Sequence, residues 1–155
     1  MSFDPVSFLE QSTTEALTRR PPIQAGIELQ GIIGEPKARQ SAGKKDPTAT
    51  FTFLDLPVEF DLTQNPQVAA AVGQDKVTLT YGFLVDITPS GALDTSPGKN
   101  GRLRQLREAL GMNKPGESFN PRSLQGRMAR FKISHRINEV DGEVYDQIDG
   151  VAKAG

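Results

Sequence analysis

At 155 residues, with 36% hydrophobic, 24% charged and 6% aromatic residues beside 15 Gly and 11 Pro, the chain has the length of one domain and a turn-rich composition that argues against a helical bundle. Zero cysteines exclude disulfides, thiolate metal ligands and cysteine nucleophiles, and the single histidine, His135, leaves no second imidazole for a zinc site. The formal charge of −1 hides an asymmetry: Lys99 to Arg136 holds ten cations against only Glu108 and Glu117, a net +8 that leaves −9 for the remainder.

Residues 1–22 mix polar side chains with Phe3, Phe8 and Leu9 and end in Arg19-Arg20-Pro21-Pro22, a helix stop; they are expected to form an arm or short helix ahead of a domain spanning 23–155. Ile23, Ala25, Ile27, Leu29, Gly31 and Ile33 alternate with polar or small residues, the period-two signature of a first half-buried strand. Residues 35–47 carry Lys37, Arg39, Lys44 and Lys45 with almost nothing to bury and are expected to be a mobile basic loop. Thr48 to Leu62, rich in Thr, Phe and Val, reads as a second strand, with Pro57 implying an edge position or a bulge.

A helical turn over Gln67 to Val72 is followed by the clearest strand of the chain, where Val77, Leu79, Tyr81, Phe83, Val85 and Ile87 fall on one face. After a Gly/Pro/Ser linker from Thr88 to Asn100, Leu103, Leu106 and Leu110 recur at helical spacing up to Gly111. Arg127 to Ile137 then separates Ala129, Phe131, Ile133 and Ile137 from Arg130, Lys132, Ser134 and Arg136, a fourth strand with a basic outer face. Asp141-Gly142 signals a hairpin turn, and Val144 to Val151 returns as a fifth strand whose Tyr145 and Gln147 join the cationic side. Five strands with one helix between the third and fourth match the element order of the OB-fold, a small mainly β Greek-key barrel; an SH3-like or sandwich-like barrel is the rival.

The final third resembles the phage-type single-stranded DNA-binding proteins. The residues that carry the resemblance are Leu124-Gln125-Gly126-Arg127 leading into Arg130-Phe131-Lys132-Ile133-Ser134-His135-Arg136, then Asp141-Gly142-Glu143-Val144-Tyr145 and Ile148. It implies an OB-fold that binds single-stranded DNA during replication, recombination or repair, without catalysis and without a cofactor. Many such proteins end in an acidic tail that recruits replication partners, whereas this chain ends Gly150-Val151-Ala152-Lys153-Ala154-Gly155, so a tail-mediated partner is not expected. Replication or recombination proteins and a homo-oligomer stay open as partners. With no apolar run of membrane-spanning length and no signal-peptide pattern at Met1 to Asp4, the reading is of a soluble cytoplasmic protein, in the host cytoplasm if it is viral.

Binding single strands without sequence preference needs cations along the phosphates and exposed rings on which bases stack. The candidates are Lys37, Arg39, Lys44 and Lys45 of the first loop, Arg130, Lys132 and Arg136 of the fourth strand, and the rings of Tyr145, Tyr81, Phe51 and Phe53. Alternation puts Tyr81 with the apolar set of its strand, and the bulge expected near Pro57 leaves the face of Phe51 and Phe53 open. Arg102, Arg104 and Arg107 surround the leucine stripe of the helix and read equally as a solvated face. His135 shares parity with Phe131, Ile133 and Ile137 and is expected to be a partly buried, hydrogen-bonded structural residue. Gly43-Lys44-Lys45 fails as a phosphate loop because Ala38 and Lys45 replace the required Gly and Ser/Thr, and Asp55, Glu59 and Asp61 read as a charged sheet face rather than a metal site. An adaptor of a virion or replisome that binds another protein through a barrel surface is the alternative from a different class.

Overall fold

The structure, a computed structural model, describes residues 2–155. In chain order it contains α1 (Pro5–Glu10), β1 (Glu28–Ile33), β2 (Lys37–Ala42), β3 (Thr50–Asp61), α2 (Pro66–Val72), β4 (Lys76–Val85), α3 (Gly101–Ala109), β5 (Met128–Ile137) and β6 (Val144–Ala152). The six strands form one antiparallel sheet in which β3 pairs with β1, β2 and β4, β1 with β5, and β5 with β6. The protein is therefore mainly β. Among the described residues no ladder joins β4 to β6, so the sheet stays open along that seam instead of closing as a five-stranded barrel. Helix α3 packs against both strands that border the seam.

The sixth strand lies where a basic loop was expected. Lys37–Ala42 pairs residue by residue with Asp55–Thr50, although every β2 residue is exposed. Apolar alternation marks a strand only where one face is buried, and this ribbon reaches past the core on main-chain hydrogen bonds and exposed polar contacts such as Arg39–Asp55 and Gln40–Thr52, so its residues carry no such signal. β1 and β2 follow one another along the same edge of β3, interrupted at residues 34–36. There the Gly34 amide donates to the Pro57 carbonyl at 2.7 Å. A strand residue turns its N–H and C=O to the same side, so the N–H that Pro57 lacks is missing where the ladder breaks. The bulge anticipated near Pro57 thus sits in the β1–β2 edge, while the β3–β4 register runs unshifted from Thr52↔Val85 to Asp61↔Lys76.

One face of the sheet is the core. Leu54, Leu56, Val58 and Phe60 of β3, Val77, Tyr81 and Phe83 of β4, and Ala129, Phe131 and Ile133 of β5 all point inward and are buried. Phe131 meets Phe60 edge-on at 5.9 Å and Tyr81 at 6.0 Å between ring centroids. Each buried Val, Leu, Ile or Phe among them contributes about 1.5–3 kcal/mol, so the alternation that was visible in the sequence is also what orients the strands. Gly31 of β1 leaves the space that the Val58 and Phe60 side chains fill. Leu103 and Leu106 bury the inner stripe of α3, and the Asn100 side chain ties the preceding loop to the end of β4 through the Asp86 amide (2.7 Å) and the Asp94 carbonyl (2.9 Å).

Candidate nucleic-acid interface

On β3 the odd positions turn away from the core, which puts Phe51, Phe53 and Asp55 on the outer face. The cross-strand partners of these three on β2 are Ser41, Arg39 and Lys37; on β4, Leu84 and Gly82 lie opposite Phe53 and Asp55. Directly opposed residues share a face, so one exposed surface carries two aromatic rings, Leu84, Lys37 and Arg39. Phe51 is 41% exposed and Leu84 50%. The Arg39 guanidinium lies 4.3 Å above the Phe53 ring, and its Nε donates to Asp55 Oδ2 at 2.6 Å. The β2–β3 turn closes through Gly43 N to Ala49 O (2.9 Å) and is pinned by the Asp46 carboxylate, which accepts from the Thr48 hydroxyl and amide. Those hydrogen bonds, the hydroxyl's first, hold the Asp46 carboxyl below the ordinary range. Lys44 and Lys45 project from this turn; with Lys37 they are exposed and form no ion pair among the described residues.

Arg136 and Tyr145 form a second group at the end of β5–β6, opposite one another in the register. The Tyr145 ring lies between two guanidinium groups, Arg19 at 3.8 Å and Arg136 at 4.9 Å. Its hydroxyl donates to Asp141 Oδ2 at 2.8 Å, and that bond raises the phenol's pKa. With Thr78, Thr80 and Gly82 of β4, Arg136 and Tyr145 border a groove along the open seam. Gly82 belongs to this groove and to the Phe53 surface alike, so the two groups flank β4 from either side.

The segment before β1 is strapped to this end of the sheet. Arg20 makes a two-pronged pair with Asp146 (2.7 and 2.9 Å), the Ile23 amide donates to the same carboxylate at 2.8 Å, and the His135 ring nitrogen meets the Ile23 carbonyl at 2.6 Å. Partial burial pushes the Asp146 carboxyl up, but the Arg20 and Ile23 hydrogen bonds and the arginine's charge outweigh it and leave the pKa lowered. His135 is thus a hydrogen-bonded structural residue, although its side chain is exposed rather than turned into the core with Phe131.

The remaining candidates are elsewhere. Arg130 and Lys132 stand beside β1, opposite Gln30 and Glu28, and Arg130 Nε lies 2.8 Å from the Glu28 carboxylate, an ion contact whose N–H is not aligned for a hydrogen bond. Glu59 and Asp61 border the same surface. Tyr81 is 2% exposed, packed on Phe83 and Phe131 with its hydroxyl unpaired among the described residues, so its ring is not available for stacking. On α3, Arg104 pairs with Glu108, and Arg107 stacks on Phe119 while donating to the Met112 carbonyl.

Asp55, Gly82, Leu84, Arg19 and Arg20 were not among the sequence candidates. Arg19 and Arg20 carried a signal only as a helix stop, and Asp55 only as one of three alternating carboxylates; their partners are 16 to 126 positions away and no local pattern marks them. Compared with known proteins, the chain matches no family model and no curated protein.

Proposed function

We propose that this is a non-catalytic protein that binds single-stranded DNA across the outer face of β2, β3 and β4, serving replication, recombination or repair as the phage-type single-stranded DNA-binding proteins do. One observation carries the reading: two partly exposed rings, Phe51 and Phe53, stand side by side among Lys37, Arg39, Lys44 and Lys45, with nothing else among the described residues built over the lysines. Rings supply a stacking platform for bases of any sequence, and lysines without carboxylate partners are free to replace the counterions of phosphates. The frame fits an OB-type barrel opened along one seam. Its support is the strand order β4-β3-β1-β5-β6, with β2 continuing β1 and α3 inserted between β4 and β5.

Fluorescence anisotropy of labelled oligo-dT at two salt concentrations tests the reading. Retention at low salt that weakens steeply as salt rises, with single strands competing better than duplex, is the expected result; no retention at low salt overturns it. A second reading, a virion or replisome component that binds another protein, draws on α1 and the residue ahead of its cap, where Phe3, Val6, Phe8 and Leu9 are all more than half exposed. Such an adaptor would survive loss of Phe51 and Phe53 with its partner still bound after nuclease treatment.

A further inference from the structure

We infer that Asp55 is an internal competitor for phosphate that keeps the Phe53 ring covered while no strand is bound, an inference that rests on the single-strand-binding reading above. The ring surface on which a base would stack is occupied by the Arg39 guanidinium, 4.3 Å from the ring centroid, and that guanidinium is held there by Asp55 at 2.6 Å. The pair is diagonal. The cation directly across from Asp55 is Lys37, which makes no ion pair among the described residues, so the carboxylate engages the one neighbour whose position caps the ring. Gly82 permits this placement: a Cβ there would stand 2.5 Å from Asp55 Oδ1, and only bare backbone lets the carboxylate lie back across β4.

The same construction recurs at Tyr145, half-buried like Phe53, where Arg19 covers the ring at 3.8 Å and is tied to Glu143 at 3.3 Å. An arginine on a ring with a carboxylate at its edge already has the two contacts that a nucleotide supplies, an anion for the guanidinium and a planar partner for the ring. Arg39 is 53% exposed, so its exchange of carboxylate for phosphate takes place in solvent and is close to even. Stacking of a base on the vacated Phe53 ring then tips the balance. The released carboxylate faces Lys37, which neutralises it. Asp55 thereby favours ligands that offer both an anion and a base face.

The test is the anisotropy of labelled oligo-dT at one fixed salt concentration with the wild type, Asp55→Asn and Arg39→Ala/Asp55→Asn, each melted thermally to show that it is folded. Asp55→Ser replaces Asp55→Asn if the latter does not fold. Asp55→Asn is expected to bind about three- to fivefold tighter than the wild type, the size of an exposed ion pair removed from the free state. The double variant is expected to lose that gain. Unchanged or weaker binding by Asp55→Asn, with the wild type still retained, means that Asp55 positions Arg39 for the ligand and overturns this inference alone. Absence of binding by the wild type and both variants overturns the single-strand reading with it.

Discussion

Two hairpins project from the sheet, and they are built with opposite charge. The β2–β3 turn presents Lys44 and Lys45 beside Phe51 and Phe53; the β5–β6 turn presents Glu139, Asp141 and Glu143 beside Tyr145. In the first, the lysines form no ion pair among the described residues, and of the two phenylalanine rings Phe51 is exposed while Phe53 lies under Arg39. In the second, the ring lies between Arg19 and Arg136, and the segment before β1 is tied across it by Arg20 and Ile23. Cations are present at both. What separates them is that Lys44 and Lys45 have no ion-pair partner among the described residues while Arg19 and Arg20 are already held by Glu143 and Asp146, which makes the first hairpin the landing site for a polyanion and the second an acidic boundary to its path.

Removing the rings of the first hairpin should have the largest effect. Phe51→Ala/Phe53→Ala is expected to weaken oligo-dT binding about a hundredfold in anisotropy titrations, at about 1.4 kcal/mol for each lost stacking partner. An unchanged affinity would erase the distinction between the hairpins. Next is the strap of the second hairpin. Arg20→Ala leaves Asp146 without its two-pronged partner and is expected to cost about 2 kcal/mol in urea unfolding. Because the Asp146 carboxyl is held below its ordinary pKa, its contribution is full above the ordinary carboxylate range and is lost as pH falls through the lowered value. The gap between wild type and Arg20→Ala should therefore narrow in acid, and a gap that widened there would contradict the assignment.

Smaller effects sharpen the contrast. Lys44→Ala/Lys45→Ala is expected to weaken oligo-dT binding about fivefold and to flatten the log–log salt slope by about 1.4, two single-strand phosphate contacts at about 0.7 each. Arg130→Ala, whose guanidinium already faces Glu28, should change affinity by less than about twofold. Equal losses in the two experiments would show that charge alone, rather than unpaired charge beside rings, defines the surface. Smallest of all, Tyr81→Phe removes a buried hydroxyl that has no partner among the described residues. It should leave binding untouched and raise unfolding stability by up to about 1 kcal/mol; a loss of stability would mean that the hydroxyl is satisfied after all.

Much of the frame was legible in the residues. Val77, Tyr81 and Phe83 on one side of β4, Ala129, Phe131 and Ile133 on one side of β5, and Leu103 with Leu106 on α3 are buried as their spacing predicts. The parity that joins Tyr145 and Gln147 to Arg136 and Ser134 also holds, because the turn from Asn138 to Glu143 has an even number of residues. β2 was not legible, since a strand exposed on both faces writes no period into its sequence.

The sequence by itself determined which residues fill the core and which strand faces are polar, because burial acts on each side chain at a spacing of two or about four residues along the chain. Only the tertiary structure decided which cations are free. Arg130 and Lys132 belong to the same basic stripe as Arg136, yet they end beside Glu28, while Lys44 and Lys45 end beside exposed rings. Whether a charge is neutralised depends on a partner within about 4 Å in space, and strand pairing between distant segments sets that distance where local spacing does not.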